Sequence, residues 1–161
     1  MALSGDRAKL YDEEAKRKSG IAANGSLTDA WAQCRDAAGA PFIAMRLDAA
    51  GKGLELVAQG AGGLAGLRAH LADDAVTWAA FAFSPGAPYG DGSRKFAFAA
   101  CVGPSVGAMK KGKVALQKAG VMNALDGVSA DAGVFQGAAE LTDAAVLAEL
   151  RRNMPNAALL E

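Results

Sequence analysis

The sequence predicts an α/β (α+β) fold: a single domain with one central mixed sheet of five or six strands and helices on both faces. Three observations predict it. The chain has 161 residues, 52% of them hydrophobic and 21% charged, which suits one domain with a real core and is too apolar for disorder. Lys95–Val102 (KFAFAACV) is apolar at both alternating sets of positions after its first residue, as a strand covered on both faces is, and Ala75–Phe83 (AVTWAAFAF) is more apolar still. The apolar periodicities follow the order helix, two strands, helix, two strands, long helix, strand, helix. That order puts helices on both sides of one sheet. No internal repeat and no inter-domain linker interrupts it.

Residues 1–25 hold few apolar side chains (Leu3, Leu10, Tyr11, Ile21), while Glu13–Arg17 and Glu14–Lys18 are spaced for weak helical pairs. They read as an N-terminal extension, either a solvated tail or a segment that docks on another protein. The domain is expected over residues 26–153, and residues 154–161 read as a C-terminal tail. Ser26-Leu27-Thr28-Asp29 has the form of a capping box. Leu27, Trp31 and Cys34 then make one helical stripe, which Gly39-Ala40-Pro41 ends. Strands Phe42–Leu47 and Leu54–Gln59 flank the loop DAAGKG and form a hairpin. A short helix, Leu64–Leu71, places Leu64, Leu67 and Leu71 on one face.

Ala75–Phe83, the most apolar strand, belongs in mid-sheet. The turn formers of Ser84–Gly92 (SPGAPYGDG) join it to Lys95–Val102 as a long hairpin. Gly103-Pro104 stops that strand. Ser105 is placed to cap a helix running from Val106 to about Leu125, weakened by Gly107, Gly112 and Gly120. Ala132–Ala138 supplies the last strand. Thr142 caps the final helix, with Leu141 and Val146 as a hydrophobic staple and Val146, Leu147 and Leu150 facing the core. Arg151-Arg152 complement the negative end of that helix.

The chain is neutral overall, with 17 basic and 17 acidic side chains, yet the charge is unevenly placed. Ser93–Leu125 carries Arg94, Lys95, Lys110, Lys111, Lys113 and Lys118 and no acid. Residues 1–25, 26–92 and 126–161 carry net charges of +1, −3 and −4. Such asymmetry bears on partners rather than on fold. The bland explanation is the wet face of a helix. Against it stand the unbroken absence of acids and the two further cations that open the neighbouring strand. On a helical wheel the lysines share an arc with Val114 and Val121. Either the helix kinks near Gly112, or the lysine stems lie along apolar surface with their charges in water.

Catalytic patterns are missing. His70 is the sole histidine and has no acid paired with it by spacing. No CxxC or HxxxH offers a metal site. Gln59–Gly66 (QGAGGLAG) matches neither phosphate-binding glycine pattern and reads as a strand-to-helix turn. Cys34 and Cys101 sit in apolar patterns and read as reduced core thiols. No enzyme, cofactor or metal is expected. No apolar run reaches the ~18 residues that cross a bilayer, and the charged first residues do not read as a signal peptide, so a cytoplasmic protein is expected. Zero net charge and 6% aromatics argue against nucleic acid and membrane partners, which bind through phosphate contacts.

Ser93-Arg94-Lys95-Phe96-Ala97, the break at Gly103–Val106 and the cluster Gly107–Lys113 (GAMKKGK) resemble the actin-depolymerising factor homology (ADF-H, cofilin-like) domain. Within that superfamily the chain is most similar to coactosin-like proteins. The similarity runs at low identity from about Thr28 to Asn153. It implies a single ADF-H domain, its sheet between helix pairs, that binds actin without catalysis. In that family the long helix enters the actin cleft and the base of the neighbouring strands contacts the filament. The resemblance therefore implies an actin-binding set of Arg94, Lys95, Met109, Lys110, Lys111, Lys113 and Lys118. Lys95 falls on the lysine that coactosin uses for filaments. It also implies binding to filament sides without strong severing, with the actin monomer as the other possible partner, in the cytoplasm and cytoskeleton. A second reading keeps the fold but makes it an adaptor in a larger cytoskeletal assembly, for example in a cilium or flagellum, with little or no actin binding.

Overall fold

The computed structural model describes residues 20–89 and 94–161. Most of the extension (1–19) and the end of the loop at 90–93 lie outside the described residues. In chain order the elements are β1 (Ala22–Ala23), α1 (Gly25–Asp36), β2 (Phe42–Leu47), β3 (Gly53–Gly60), α2 (Gly63–Arg68), β4 (Val76–Ser84), β5 (Lys95–Val102), α3 (Ala108–Asn123), β6 (Val128–Gln136), α4 (Asp143–Leu150) and β7 (Ala158–Leu159). The sheet runs β1-β3-β2-β4-β5-β6, and β7 joins it off this path on β4. The β1/β3 and β5/β6 pairs are parallel and the others antiparallel. The sheet is therefore mixed, as expected, with six strands on its path and one short strand added.

Alternation in the central strands explains the layering. β4 and β5 pair over their whole length, from Val76 opposite Val102 to Phe83 opposite Lys95. Trp78, Ala80, Phe96, Phe98 and Val102 face Leu27, Trp31 and Cys34 of α1 and Val114 and Val121 of α3. Ala79, Phe81, Phe83, Ala97 and Ala99 face Leu64 and Leu67 of α2 and Val146 and Leu150 of α4. Each side chain removed from water on either face contributes about 1.5–3 kcal/mol if large and apolar. Two helix pairs thus cover the two faces of a sheet that needs covering on both.

Local chemistry moves several boundaries. α1 starts at Gly25 because Asn24, not Ser26, is the cap: its Oδ1 accepts the Leu27 N–H at 2.8 Å. The last helix starts as its sequence predicts, with Thr142 Oγ1 accepting the Ala145 N–H and Leu141 and Val146 both buried. β6 begins at Val128, four residues before the expected Ala132, and two register irregularities break its alternation. β1 and β7 were not foreseen. Ile21 is only 3% exposed, and β1 lies parallel to β3, so residues just before Ser26 pack on the domain. Past Asn153, Ala157 is buried, and β7 pairs with Phe83 and Ser84 of β4. It continues the line of β2, whose register on β4 ends at Phe81.

The connection from β5 to α3 decides where the long helix lies. The Gly103 N–H donates to Ala75 O at 3.0 Å and the Ser105 N–H to Asp73 O at 2.7 Å. A Cβ at Gly103 would lie 2.3 Å from Asp73 O, so only glycine lets the chain lie this close to the loop before β4. That clamp holds Ser105 by its backbone two residues ahead of the cap position, so its hydroxyl does not cap the helix. α3 instead starts at Ala108 with Gly107 as its cap.

Candidate functional site

α3 touches the sheet along a narrow seam. Val114 and Val121 are buried, Gln117 and Lys118 are half-buried, and every residue from Gly107 to Lys113 is exposed. The helix is continuous from Ala108 to Asn123. The structure therefore favours lysine stems beside an apolar seam over a break at Gly112.

At 100° per residue, the row opposite that seam contains Met109, Gly112, Leu116 and Ala119. All four are exposed, Met109 at 79% and Leu116 at 84%. Lys113 borders the row on one side and Lys111 lies further round on the other, while Lys110 sits beside the seam next to Val114 and Val121. The solvent face of a surface helix is ordinarily polar; here the outermost row is apolar and the charges lie nearer the seam. Large exposed apolar side chains in a polar rim mark interaction surfaces. Leu116 was absent from the sequence-derived set. The signal was available, because the wheel sets it far from Val114 and Val121 and beside Met109.

The start of α3 is electrostatically unrelieved. No side chain caps it and its first turn holds no acid. Lys110 puts a positive charge in the first turn, at the positive end of the helix, an unfavourable placement of about 0.3–1 kcal/mol at an exposed position, and Lys111 and Lys113 follow it. Among the described residues none of the three has an ion-pair partner. Gly112 weakens the same turns without any packing reason, since a Cβ there would meet nothing within 4 Å. Gly112→Ala is expected to stabilise the protein by about 0.5–1 kcal/mol, read as a higher denaturant midpoint at unchanged slope.

The remaining expected site residues behave differently. Arg94 caps the end of α1: its guanidinium donates to the carbonyls of Arg35 (2.7 Å), Ala37 and Gly39 and lies over the Phe96 ring. This is the favourable placement of a cation at a helix C-terminus. Lys118 is paired with Asp131 of β6 at 2.5 Å and is half-buried. Lys95 opens β5 opposite Phe83 and is half-buried. It lies at the opposite end of the sheet from the start of α3, because α3 runs back between the parallel strands β5 and β6. At about 3.3 Å per residue, β5 separates the two ends by roughly 20 Å. The seven residues thus form two patches rather than one: Arg94 and Lys95 at one end, Met109, Lys110, Lys111 and Lys113 at the other, with Lys118 tied to β6 between them.

Nothing reactive accompanies these patches. Burial raises the Cys34 thiol to about 11, against a smaller opposing pull from the Arg94 charge. Burial also raises Cys101. Both are protonated at neutral pH and are not nucleophiles. Among the described residues no group of three or more His, Cys, Asp or Glu side chains could hold a metal ion, and no helix is long and apolar enough to cross a membrane.

Comparison with known proteins gives this surface its context. The profile of the family described as Cofilin/tropomyosin-type actin-binding protein matches residues 20–151. Coactosin from Entamoeba histolytica is similar in structure, with a TM-score of 0.65 and 20% identity over 83% of this chain and 96% of that one. Human coactosin-like protein superposes with a TM-score of 0.66 and 18% identity over 83% and 90% of the two chains. Mouse coactosin, described as an actin filament binding protein, gives 0.62 and 20% over 83% and 92%. No curated protein sequence matches significantly.

Proposed function

Because the chain belongs to the cofilin/tropomyosin-type actin-binding protein family, we propose that it binds the sides of actin filaments, without strong severing, through α3 and the foot of β5. Modules of this family are non-catalytic and the chain is not an enzyme. The observation that carries the reading is the outward row of α3, with Met109 and Leu116 bare to solvent between unpaired lysines. Lys110, Lys111 and Lys113 steer encounter with an acidic surface and set orientation. Met109 and Leu116 supply the desolvated anchor, and methionine adapts its shape to the partner. Lys95 makes the second contact. Two patches roughly 20 Å apart suit a polymer, which can offer separate surfaces to each.

The reading divides the basic residues by role. Lys95, Lys110, Lys111 and Lys113 touch the filament. Arg94 and Lys118 hold the frame, one by closing α1 and the other by tying α3 to β6. The likeness to mouse coactosin supports filament over monomer as the partner.

Co-sedimentation with actin filaments at two salt concentrations tests the proposal, with the actin monomer as a separate arm. Pelleting is expected to fall as salt rises. Lys95→Ala is expected to weaken it roughly 2- to 5-fold, the scale of an exposed charge contact, with an unchanged melting temperature. No pelleting of the wild type at low salt would overturn the proposal.

A further inference from the structure

The N-terminal extension joins the domain beside a basic recess. The Ala22 N–H donates to Lys52 O at 2.9 Å, so the residues before β1 emerge at the loop between β2 and β3. That loop reaches α3: a Cβ on Gly51 would lie 3.5 Å from the Gln117 amide nitrogen. Between loop and helix lies a space of about 200 Å³, whose cations are Arg46 of β2 and Lys110 and Lys113 of α3. The Arg46 Nε is buried without a hydrogen-bond partner. Among the described residues none of the three cations has an ion-pair partner. The one carboxylate on the wall, Asp48, is held by its own loop: Oδ1 accepts the Lys52 N–H at 3.1 Å and Oδ2 the Gly53 N–H at 3.0 Å.

We propose that this recess is the docking site of the chain's own acidic triplet, Asp12-Glu13-Glu14. Nineteen residues precede Gly20, and the triplet is the one run of consecutive acids among them. Glu14 stands six positions ahead of Gly20, a span of up to about 20 Å of extended chain, and the recess begins at the loop that β1 already touches. Tethering over so short a span holds the acids at a local concentration on the order of millimolar, so a contact too weak to join separate molecules forms within one chain. A carboxylate matches the paired donors of the Arg46 guanidinium and gives its orphaned Nε–H an acceptor. Lys110 and Lys113 meet the neighbouring acids as point charges. The i,i+4 partners Arg17 and Lys18 compete only weakly for Glu13 and Glu14. Docked there, the triplet covers Lys110 and Lys113, so the extension and the filament compete for the same lysines; that consequence rests on the filament reading.

A nitroxide placed on the full chain through Ala15→Cys tests the docking by NMR, without actin. Cys34 and Cys101 are buried and protonated, so the label goes to the new thiol. Broadening of the amides of 48–53 and 110–117 is expected. Its relaxation enhancement should fall at least about 3-fold in Asp12→Asn/Glu13→Gln/Glu14→Gln, which keeps the tether and removes the charge. The same loss is expected in Arg46→Gln and in Lys110→Gln/Lys113→Gln; the second changes only exposed side chains and keeps the test decisive should Arg46→Gln fold poorly. Broadening unchanged in all three variants, or centred away from the recess, overturns the proposal. So does equal broadening when the label sits on one chain and the isotope on another, which would make a second copy the occupant. The triplet variant should also pellet with filaments about 3- to 10-fold more tightly. Lost broadening with unchanged pelleting would support the docking and count against Lys110 and Lys113 as filament contacts, so the two readings fail separately.

Discussion

Leu116→Asp is expected to weaken filament co-sedimentation by about 30-fold or more, the scale of an interface hot spot, while the melting temperature stays in place. Leu116 is 84% exposed and lies outside both core clusters, so the folded state loses no packing. Surface changes of that kind stay within about 0.5 kcal/mol of neutral. In the complex the same side chain sits where water is excluded, and a carboxylate there brings a desolvation cost and repulsion from an acidic partner. Leu116→Ala should fall between wild type and Leu116→Asp. Unchanged pelleting of Leu116→Asp would remove the outward row of α3 from the contact and leave the lysines to act alone.

A chain that begins at Ser26 is expected to be less stable than one that begins at Gly20 by about 3–5 kcal/mol, a large share of the 5–15 kcal/mol that stabilises a typical domain. The shorter chain loses three things. Ile21 is buried in the core under α1, worth about 1.5–3 kcal/mol. The Asn24 cap holds the Leu27 N–H, worth about 0.5–2 kcal/mol. β1 donates its Ala22 N–H to Lys52 O at 2.9 Å, and the Asn24 N–H goes to Leu54 O at 3.2 Å. Urea unfolding of the two chains measures the difference, and a drop of roughly 10 °C in melting temperature should accompany it. Equal midpoints would show that residues 20–25 contribute nothing to the fold.

The fold was legible where burial imposes a pattern. β2 and β5 fall on the residues that their apolar runs predict, β4 lies in mid-sheet, and Thr142 caps the last helix. Legibility failed where burial leaves no pattern. Two-residue strands such as β1 and β7 have no periodicity to detect, and their partners lie far along the chain. β6 hides its first residues because irregularities shift its alternation. Ser105 looks like a cap until the clamp on Asp73 O is seen, and only tertiary contact shows that clamp. For the site, the basic cluster was visible in sequence. The separation of Lys95 from the α3 lysines was not, because it depends on the direction in which α3 returns along β5. Nor could composition show that Arg94 and Lys118 are engaged within the fold.

The interruptions in β6 and β3 also bear on self-association. A sheet that does not close leaves rows of amides and carbonyls on which a second chain can template a strand, the first step toward aggregates. Here those rows are broken. In β6, Ser129 and Ala132 fall outside the register with β5, so its longest uninterrupted run is Gly133–Gln136, and Gly133 turns there at φ +104°. On the opposite side, β1 covers only Gly53 and Leu54 of β3, and Val57 is the residue skipped in pairing with β2. Bulges twist a strand away from a flat partner. The central strands can thus be unusually apolar because the strands outside them make poor templates for another copy.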